Sequence, residues 1–156
     1  MIALRPIPAE RLGDWQRRSL AAYADGLRSS GLGAGEIGQH VVDSAQLLFP
    51  NGRLRAGHEV FDVLVDDEVC GYLWVGPSLW GDDFYVYDVA VDEHARGRGV
   101  GRAVMETVEE MARERGHRSV GLTVTDANVA ARGMYELLGY VEVEAVQGRG
   151  FLRKVL

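Results

Sequence analysis

The sequence predicts a mixed α/β domain over residues 1–156, with a central, mostly antiparallel sheet and helices on both faces. The first observation is composition: 47% of the 156 residues are hydrophobic and 26% are charged, a globular mix. The second is that apolar residues recur at helical spacing in some segments and alternate in others. The third is their order, β, α, α, β, β, β, α, β, α, β, β, in which an early hairpin precedes a β-α-β crossover.

The first half of the chain predicts one strand, two helices and a hairpin. The predicted elements are a strand over 2–5, helices over 9–27 and 36–48, and strands over 59–64 and 69–75. Pro50-Asn51-Gly52 ends the second helix, and Asp66-Asp67-Glu68 is the hairpin turn. Gly76-Pro77-Ser78 begins a loop.

The second half predicts a crossover followed by a short helix and a last hairpin. The predicted elements are strands over 84–91 and 119–125 around a helix over 100–115, a helix over 128–138, and strands over 140–146 and 150–155. Gly116 and Gly139 end the two helices. Because a helix joins strands 84–91 and 119–125, we expect them to be parallel, adjacent and central.

Charge and cysteine content narrow the class of function. The net charge is −6, which argues against nonspecific binding to nucleic acid. The single cysteine, Cys70, lies in an apolar run, so we expect a buried, unreactive thiol. His40, His94 and His117 are scattered without metal-ligand spacing, so we predict no metal site. No segment resembles a signal peptide or a membrane span, and we therefore expect a cytoplasmic protein that does not bind membranes.

The most informative segment is Arg-Gly-Arg-Gly-Val-Gly-Arg at residues 96–102, between an apolar strand and a helix. Its glycines permit a tight turn, and the helix that follows directs the positive end of its dipole to the same place. A phosphate-bearing ligand fits this pattern. The chain contains no Gly-x-x-x-x-Gly-Lys-Ser/Thr string, and Arg102 stands where a dinucleotide fingerprint needs its last glycine.

The turn instead matches Arg/Gln-x-x-Gly-x-Gly/Ala after an apolar strand, and so resembles the pyrophosphate-binding signature of the N-acetyltransferase (GNAT) family. Residues 87–92 resemble the fourth strand of that family. Residues 128–140 resemble its late motif, in which Asn opens a helix and Tyr-Glu-x-Leu-Gly-Tyr closes it. The close resemblance covers residues 84–140 and implies a GNAT-like sheet whose parallel fourth and fifth strands splay apart.

The resemblance implies that acetyl-coenzyme A enters between the splayed strands. Main-chain groups of Val89, Ala90 and Val91 would pair with the pantetheine arm, and one N–H group would polarise the thioester carbonyl. The residues implied at the pyrophosphate are Arg96, Gly97, Arg98, Gly99, Val100, Gly101 and Arg102. Asn128 carries over as a further cofactor contact, which is compatible with its other interpretation as a helix N-cap.

The resemblance makes Tyr135 the candidate acid that protonates the departing thiolate, although a core aromatic is the alternative. The family's usual positions for a carboxylate base correspond to Tyr85 and Thr123, and neither residue can serve as one. Asp88 is the nearest acidic candidate, since burial would raise its pKa. Strand alternation predicts that Asp88 lies on the opposite face from Tyr85, Tyr87 and Val89, which favours a structural role. A water relay is the other route for the amine proton.

Two functions of different class remain open. The first is an acyltransferase that moves the acetyl group of acetyl-coenzyme A to a primary amine by direct attack, without a metal. The second is a coenzyme A-binding regulatory module with weak or no activity, which the missing base keeps open. A nucleotide-binding domain is a third, weaker interpretation.

The acceptor is expected to be a small-molecule amine or a protein N-terminus or lysine. Trp74 and Trp80 are candidate walls of its site, with core packing as the alternative, and His58 is a further candidate base. Residues 140–155 offer a strand edge for a homodimer.

Overall fold

The computed structural model describes all 156 residues and contains one seven-stranded sheet. Its strands are β1 (Ile2–Pro6), β2 (Glu59–Val65), β3 (Glu68–Pro77), β4 (Phe84–Val91), β5 (Ser119–Thr125), β6 (Val141–Val146) and β7 (Arg149–Val155). The helices are α1 (Ala9–Ser29), α2 (Ala34–Leu48), α3 (Val100–Glu114) and α4 (Val129–Leu137). The predicted order of elements is confirmed, and short 3-10 turns at Pro50–Gly52 and Glu93–Ala95 are additional.

The strands lie in the order β1-β2-β3-β4-β5-β7-β6. Every neighbouring pair is antiparallel except β4 and β5, which run parallel because α3 carries the chain back across the sheet. The predicted fold class and the central parallel pair are therefore confirmed. None of the four helices combines the length and the apolarity that crossing a bilayer requires.

Helices cover both faces of the sheet, and each face has its own core. One face packs against α3 and α4; its buried residues include Val63, Leu73, Val86, Val104, Met105, Val108, Val120, Leu122 and Tyr135. We call this the α3-side core. The other face packs against α1 and the end of α2; its buried residues are Ile7, Trp15, Phe49, Val60, Tyr72 and Trp74. We call this the α1-side core.

Strand β3 is longer than the sequence predicts. Gly76 and Pro77, expected to begin a loop, pair with Tyr85 and Phe84 of β4. A proline is tolerated there because it is the last residue of the strand. The extension brings the β3–β4 connection close to the start of the parallel pair, where the candidate site lies.

Candidate active site

The gap between β4 and β5 is the central feature of the site. The two strands pair only from Phe84 and Val120 to Val86 and Leu122. Beyond that point β4 continues to Val91 while still paired with β3, and β5 continues while paired with β7. The facing edges of β4 and β5 therefore diverge, and the predicted splayed pair is confirmed. An extended ligand can enter such an opening as an added strand.

A β-bulge in β4 corrects the predicted orientation of Asp88. Val75 pairs with Val86, but Trp74 pairs with Asp88, so Tyr87 is an extra residue in β4. The bulge restarts the alternation of side chains. Tyr87 and Asp88 consequently both face the α1 side, and the expectation that Asp88 lies opposite the tyrosines is wrong.

Asp88 is held by two hydroxyl groups on the α1 side. Its Oδ2 accepts hydrogen bonds from Ser19 Oγ at 2.6 Å and from the Tyr72 hydroxyl at 2.7 Å. Burial raises the pKa of the Asp88 carboxyl, and the two hydroxyl donors oppose that rise. A carboxylate oxygen that already accepts two hydrogen bonds is a poor acceptor for the proton of a substrate. These bonds therefore support the structural interpretation of Asp88.

Tyr135 lies in the second half of α4 and is 5% exposed within the α3-side core. Its hydroxyl has no hydrogen-bond partner in the protein, yet it is not among the fully enclosed polar atoms without partners. The hydroxyl therefore keeps contact with open space. Burial, followed by the nearby charge of Asp88, raises the pKa of Tyr135 to about 12. The phenol consequently holds its proton at neutral pH.

Tyr85 and Thr123, at the family's usual positions for a base, face each other across the start of the gap. The Tyr85 hydroxyl and Thr123 Oγ1 are 2.6 Å apart and share a hydrogen bond. Burial raises the pKa of Tyr85, with the bond to Thr123 opposing that rise. The pair is polar but uncharged at neutral pH, so it can orient a water molecule without itself acting as a strong base.

Aromatic rings extend from this pair along the α1 side. Tyr87 lies 4.7 Å from Tyr85 and stacks on Trp74 at 5.0 Å. Trp80, from the β3–β4 connection, lies 5.4 Å from Tyr85 and is 63% exposed. Phe151 of β7 stacks at 6.2 Å from Tyr85. Trp74 is thus a core residue, whereas Trp80 presents an open aromatic surface.

His58 belongs to the same aromatic group as a packing residue. Its Nδ1 accepts a hydrogen bond from Trp74 Nε1 at 3.2 Å, and its ring lies 4.5 Å from that of Tyr87. Burial, and then the charge of Arg55, lowers the pKa of His58. The imidazole is therefore neutral, with Nδ1 occupied by the indole.

The glycine turn leaves a run of backbone donors without acceptors. Gly97 and Gly99 have φ values of 76° and 78°, and Gly99 is the N-cap of α3. No N–H group of residues 97–102 donates a hydrogen bond within the chain. Gly101 lies against α4, where a Cβ atom would be 3.2 Å from Met134 Sδ. Six consecutive amides without acceptors at a helix N-terminus are groups that can hydrogen-bond a phosphate-type anion.

The three arginines of the turn have different surroundings. Arg96 Nε donates to the Val91 carbonyl at 2.9 Å, which fastens the turn to the end of β4. Arg102 Nε donates to Glu106 Oε1 at 3.1 Å within α3. Arg98 has no hydrogen bond or ion pair and is exposed. Arg98 is thus the guanidinium most available to a ligand.

Asn128 is the N-cap of α4. Its side-chain oxygen accepts a hydrogen bond from the Ala131 N–H group at 3.2 Å. The capping role that the sequence predicts is confirmed, whereas its contact with a cofactor stays a prediction.

A family model described as acetyltransferase (GNAT) family matches residues 29–140, which include the gap, the glycine turn and α4. The chain belongs to the GNAT family. The uncharacterized N-acetyltransferase YycN of Bacillus subtilis is 25% identical over 152 residues, which cover 95% of this chain and 97% of YycN. Its crystal structure has a TM-score of 0.82 at 23% identity, covering 94% of this chain and 96% of that one.

One further relative and one solved structure have names that specify a substrate. Streptothricin acetyltransferase of Streptomyces lavendulae is 33% identical over 75 residues, 48% of this chain and 40% of that enzyme. A Bacillus anthracis structure named as a streptothricin acetyltransferase was solved in complex with acetyl coenzyme A. It has a TM-score of 0.60 at 18% identity, covering 72% of this chain and 70% of that one.

Sequence reasoning missed the residues that support the site from a distance. Ser19 and Tyr72 hold Asp88 but lie 69 and 16 positions from it in the chain. Phe151, which stacks on Tyr85, comes from the last strand. No local pattern marks such residues, because only the folded sheet brings them together.

Proposed function

We propose that this GNAT protein transfers the acetyl group of acetyl-coenzyme A to a primary amine by direct attack in a ternary complex. The observation that carries the proposal is that two features occur together. Six backbone amides at residues 97–102 have no acceptor in the chain, and they follow the strand, β4, that forms one edge of the β4–β5 gap. Together they suit an extended ligand that ends in a pyrophosphate. Acetyl-coenzyme A is such a molecule, and it supplies an activated thioester.

The donor is bound mainly by backbone groups in this proposal. The N–H groups from Gly97 to Arg102 hold the pyrophosphate, with the α3 dipole and Arg98 adding positive potential. Main-chain groups of residues 89–91 pair with the pantetheine arm, and one N–H group stabilises the charge that develops on the thioester oxygen. Asn128 adds a contact from the start of α4.

Tyr135 is the proposed acid. The amine nitrogen attacks the thioester carbon, a C–N bond forms, and the C–S bond breaks with its electron pair on sulfur. The Tyr135 hydroxyl, which has no protein partner, gives its proton to that sulfur. A pKa of about 12 keeps the phenol protonated until the thiolate forms.

A water molecule, rather than a side-chain carboxylate, accepts the proton of the amine in this proposal. The Tyr85–Thr123 pair lies at the start of the gap and offers oxygen atoms that can orient such a water. Asp88 is the remaining acidic candidate. Its two hydroxyl donors favour a role behind the site, where its charge and hydrogen bonds fix Ser19 and Tyr72.

The acceptor is proposed to be a small cationic amine that passes the exposed ring of Trp80. Aromatic faces attract organic cations; the Trp80 ring is exposed near the gap, with the half-buried Tyr87 and the buried Tyr85 packed beside it. A neighbouring cleft of about 400 Å³ beside His58 carries Arg53 and Arg55, which disfavour a cation inside that cleft. The streptothricin acetyltransferase and the Bos taurus thialysine N-epsilon-acetyltransferase among the relatives are consistent with an amine acceptor.

A homodimer through the sheet edge remains part of the proposal. Every residue of β6 is exposed, including Val141, Val143 and Val146. An outer strand with three exposed valines and a free edge is the proposed contact surface for a second copy.

The experiment is a thiol-release assay with acetyl-coenzyme A and a panel of amines: a polyamine, lysine, an aminoglycoside and a peptide with a free N-terminus. We expect thiol release that requires a primary amine, with the acetylated product found by mass spectrometry. A quaternary ammonium compound, which cannot be acetylated, is the matched negative control.

The same assay, combined with a calorimetric titration of acetyl-coenzyme A, decides the alternative. The positions at which the family usually has a carboxylate base hold Tyr85 and Thr123 in this chain. This observation favours a coenzyme A-binding regulatory module. Tight binding of acetyl-coenzyme A with no release for any amine would establish that alternative. Failure to bind coenzyme A at all would overturn both functions.

A further inference from the structure

Three side chains of types that ligate metals meet outside the acetyl-transfer site. Glu68 and Cys70 lie at the start of β3, and His94 lies in the 3-10 turn after β4. His94 Nε2 is 3.9 Å from Cys70 Sγ and 3.9 Å from Glu68 Oε1. All three donor atoms lie within 4.8 Å of one another. This arrangement combines a thiol, an imidazole and a carboxylate around one point.

The backbone fixes the two segments that carry these side chains. The Asp92 N–H group donates to the Cys70 carbonyl at 2.8 Å, which joins the end of β4 to β3. The Ala95 N–H group then donates to the Asp92 carbonyl at 2.9 Å and closes the turn that presents His94. The position of His94 relative to Cys70 is therefore set by strand pairing and not by side-chain flexibility alone.

The distances suit a tetrahedral Zn²⁺ centre. With Zn–S of about 2.3 Å and Zn–N of about 2.0–2.1 Å, sulfur and nitrogen ligands are about 3.6 Å apart across a tetrahedron. The Cys70–His94 distance of 3.9 Å exceeds that value by a few tenths of an ångström. Side-chain rotation of the exposed His94 can close this difference.

Exposure and charge also fit such a site. Cys70 is 4% exposed, whereas the side chains of His94 and Glu68 are 57% and 75% exposed. The thiol thus lies at the buried inner side of the site, and the two other side chains lie at the protein surface, where an ion can reach them. A thiolate and a carboxylate together neutralise a divalent cation.

We propose that Glu68, Cys70 and His94 bind one Zn²⁺ ion, with water as the fourth ligand. Binding forms a Zn–S bond and releases the thiol proton to the buffer. The ion would tie the start of β3 to the segment that leads into the glycine turn, two residues before Arg96. The prediction of no metal site rested on sequence spacing, which misses this cluster because a β-ladder assembles it.

The test uses the full chain without coenzyme A, because the thiol of coenzyme A itself binds zinc. Calorimetric titration with Zn²⁺ should give one ion per chain. Titration with Co²⁺ should produce a thiolate-to-cobalt charge-transfer absorption. Cys70→Ser should abolish that absorption, and His94→Ala should weaken Zn²⁺ binding at least about tenfold.

The exposure of His94 keeps the test interpretable, since His94→Ala does not disturb the core even if Cys70→Ser impairs folding. His40→Ala, which removes an exposed histidine from α2, is the matched control and should bind Zn²⁺ as the natural chain does. The proposal is overturned if the natural chain shows no stoichiometric binding. It is equally overturned if His94→Ala binds as tightly as His40→Ala.

Discussion

The two faces of the sheet contribute different chemistry to the site. On the α3 side, the glycine turn offers backbone N–H groups, and the core beneath it is rich in aliphatic residues such as Val104 and Val108. On the α1 side, the surfaces near the gap are aromatic side chains, among them Trp80 and Tyr87. The β4–β5 gap is where the two faces meet.

The contrast between backbone N–H groups on one face and aromatic side chains on the other determines which chemical groups each face can bind. Hydrogen bonding by backbone N–H groups depends on the conformation of the chain and not on which side chains it carries. A short glycine-rich string, which allows that conformation, can therefore specify a site suited to an anion. An aromatic surface depends on which side chains three separate segments bring together. In the proposed function the glycine turn on the α3 side binds the acetyl donor, and we call it the donor face. The aromatic side chains on the α1 side meet the amine, and we call them the acceptor face.

The largest effect is expected from a charge placed in the donor face. Gly99→Asp should weaken coenzyme A binding more than about 100-fold, because a carboxylate enters the anion site at a residue with φ of 78°. Calorimetry measures the affinity. Gly116→Asp is the matched control, since Gly116 has φ of 79° and open space at the far end of α3. Equal affinities for the two variants would remove the pyrophosphate from the glycine turn.

Loss of the proposed acid should affect turnover and not binding. Tyr135→Phe should lower kcat about 100-fold while the Kd for coenzyme A stays unchanged. Since the pKa of Tyr135 is about 12, its proton should be present throughout the neutral and mildly alkaline range, and kcat should not fall there from its ionisation. Steady-state kinetics and calorimetry check both parts.

Tyr140→Phe is the matched control for that variant. The Tyr140 ring lies 5.7 Å from that of Tyr135, and its hydroxyl donates to Glu109 at 3.3 Å, away from the gap. We expect a loss of about 1 kcal/mol in unfolding free energy with kcat retained. Turnover by Tyr135→Phe that matches Tyr140→Phe would exclude Tyr135 from the reaction.

The ion pair beside the end at which β4 and β5 are hydrogen-bonded should make a pH-dependent contribution to the free energy of unfolding. Asp83 accepts hydrogen bonds from Arg153, at 2.8 and 3.0 Å, and from Ser119 at 2.6 Å. The bonds from Arg153 are the main cause that lowers the pKa of Asp83 below 3.8. This stabilisation is present above pH 3.8 and is lost as pH falls through the folded-state pKa.

Asp83→Asn should therefore lower the free energy of unfolding by about 2 kcal/mol at pH 7, and by much less near pH 2. Urea unfolding at the two pH values measures the difference. Asp82→Asn changes an exposed neighbour and should have little effect at either pH. A loss from Asp83→Asn that is the same at both pH values would contradict the role of the ion pair.

The smallest effect is expected on the acceptor face. Trp80→Ala should raise KM for the amine about tenfold and leave coenzyme A affinity unchanged, because the ring is exposed and precedes β4, whereas the glycine turn follows β4. Trp80→Phe should restore most of the loss. If both variants behave like the natural chain, the amine approaches elsewhere.

The sequence was most informative where the structure is local. The glycine turn, the order of elements and the Asn128 cap were predicted because each depends on residues within a few positions of one another. The orientation of Asp88 was predicted wrongly, since the bulge at Tyr87 interrupts the alternation and leaves no sequence signal. The Cys70–His94 approach likewise depends on β3–β4 pairing.

In the proposed function, the donor and acceptor faces must be occupied together for acetyl transfer. Initial rates, measured while acetyl-coenzyme A and the best amine from the panel are both varied, test this most directly. We expect intersecting lines in double-reciprocal plots, as direct attack in a ternary complex requires. Parallel lines would contradict direct attack, because they would mean that the acetyl group is first transferred to a group on the protein and that coenzyme A leaves before the amine reacts.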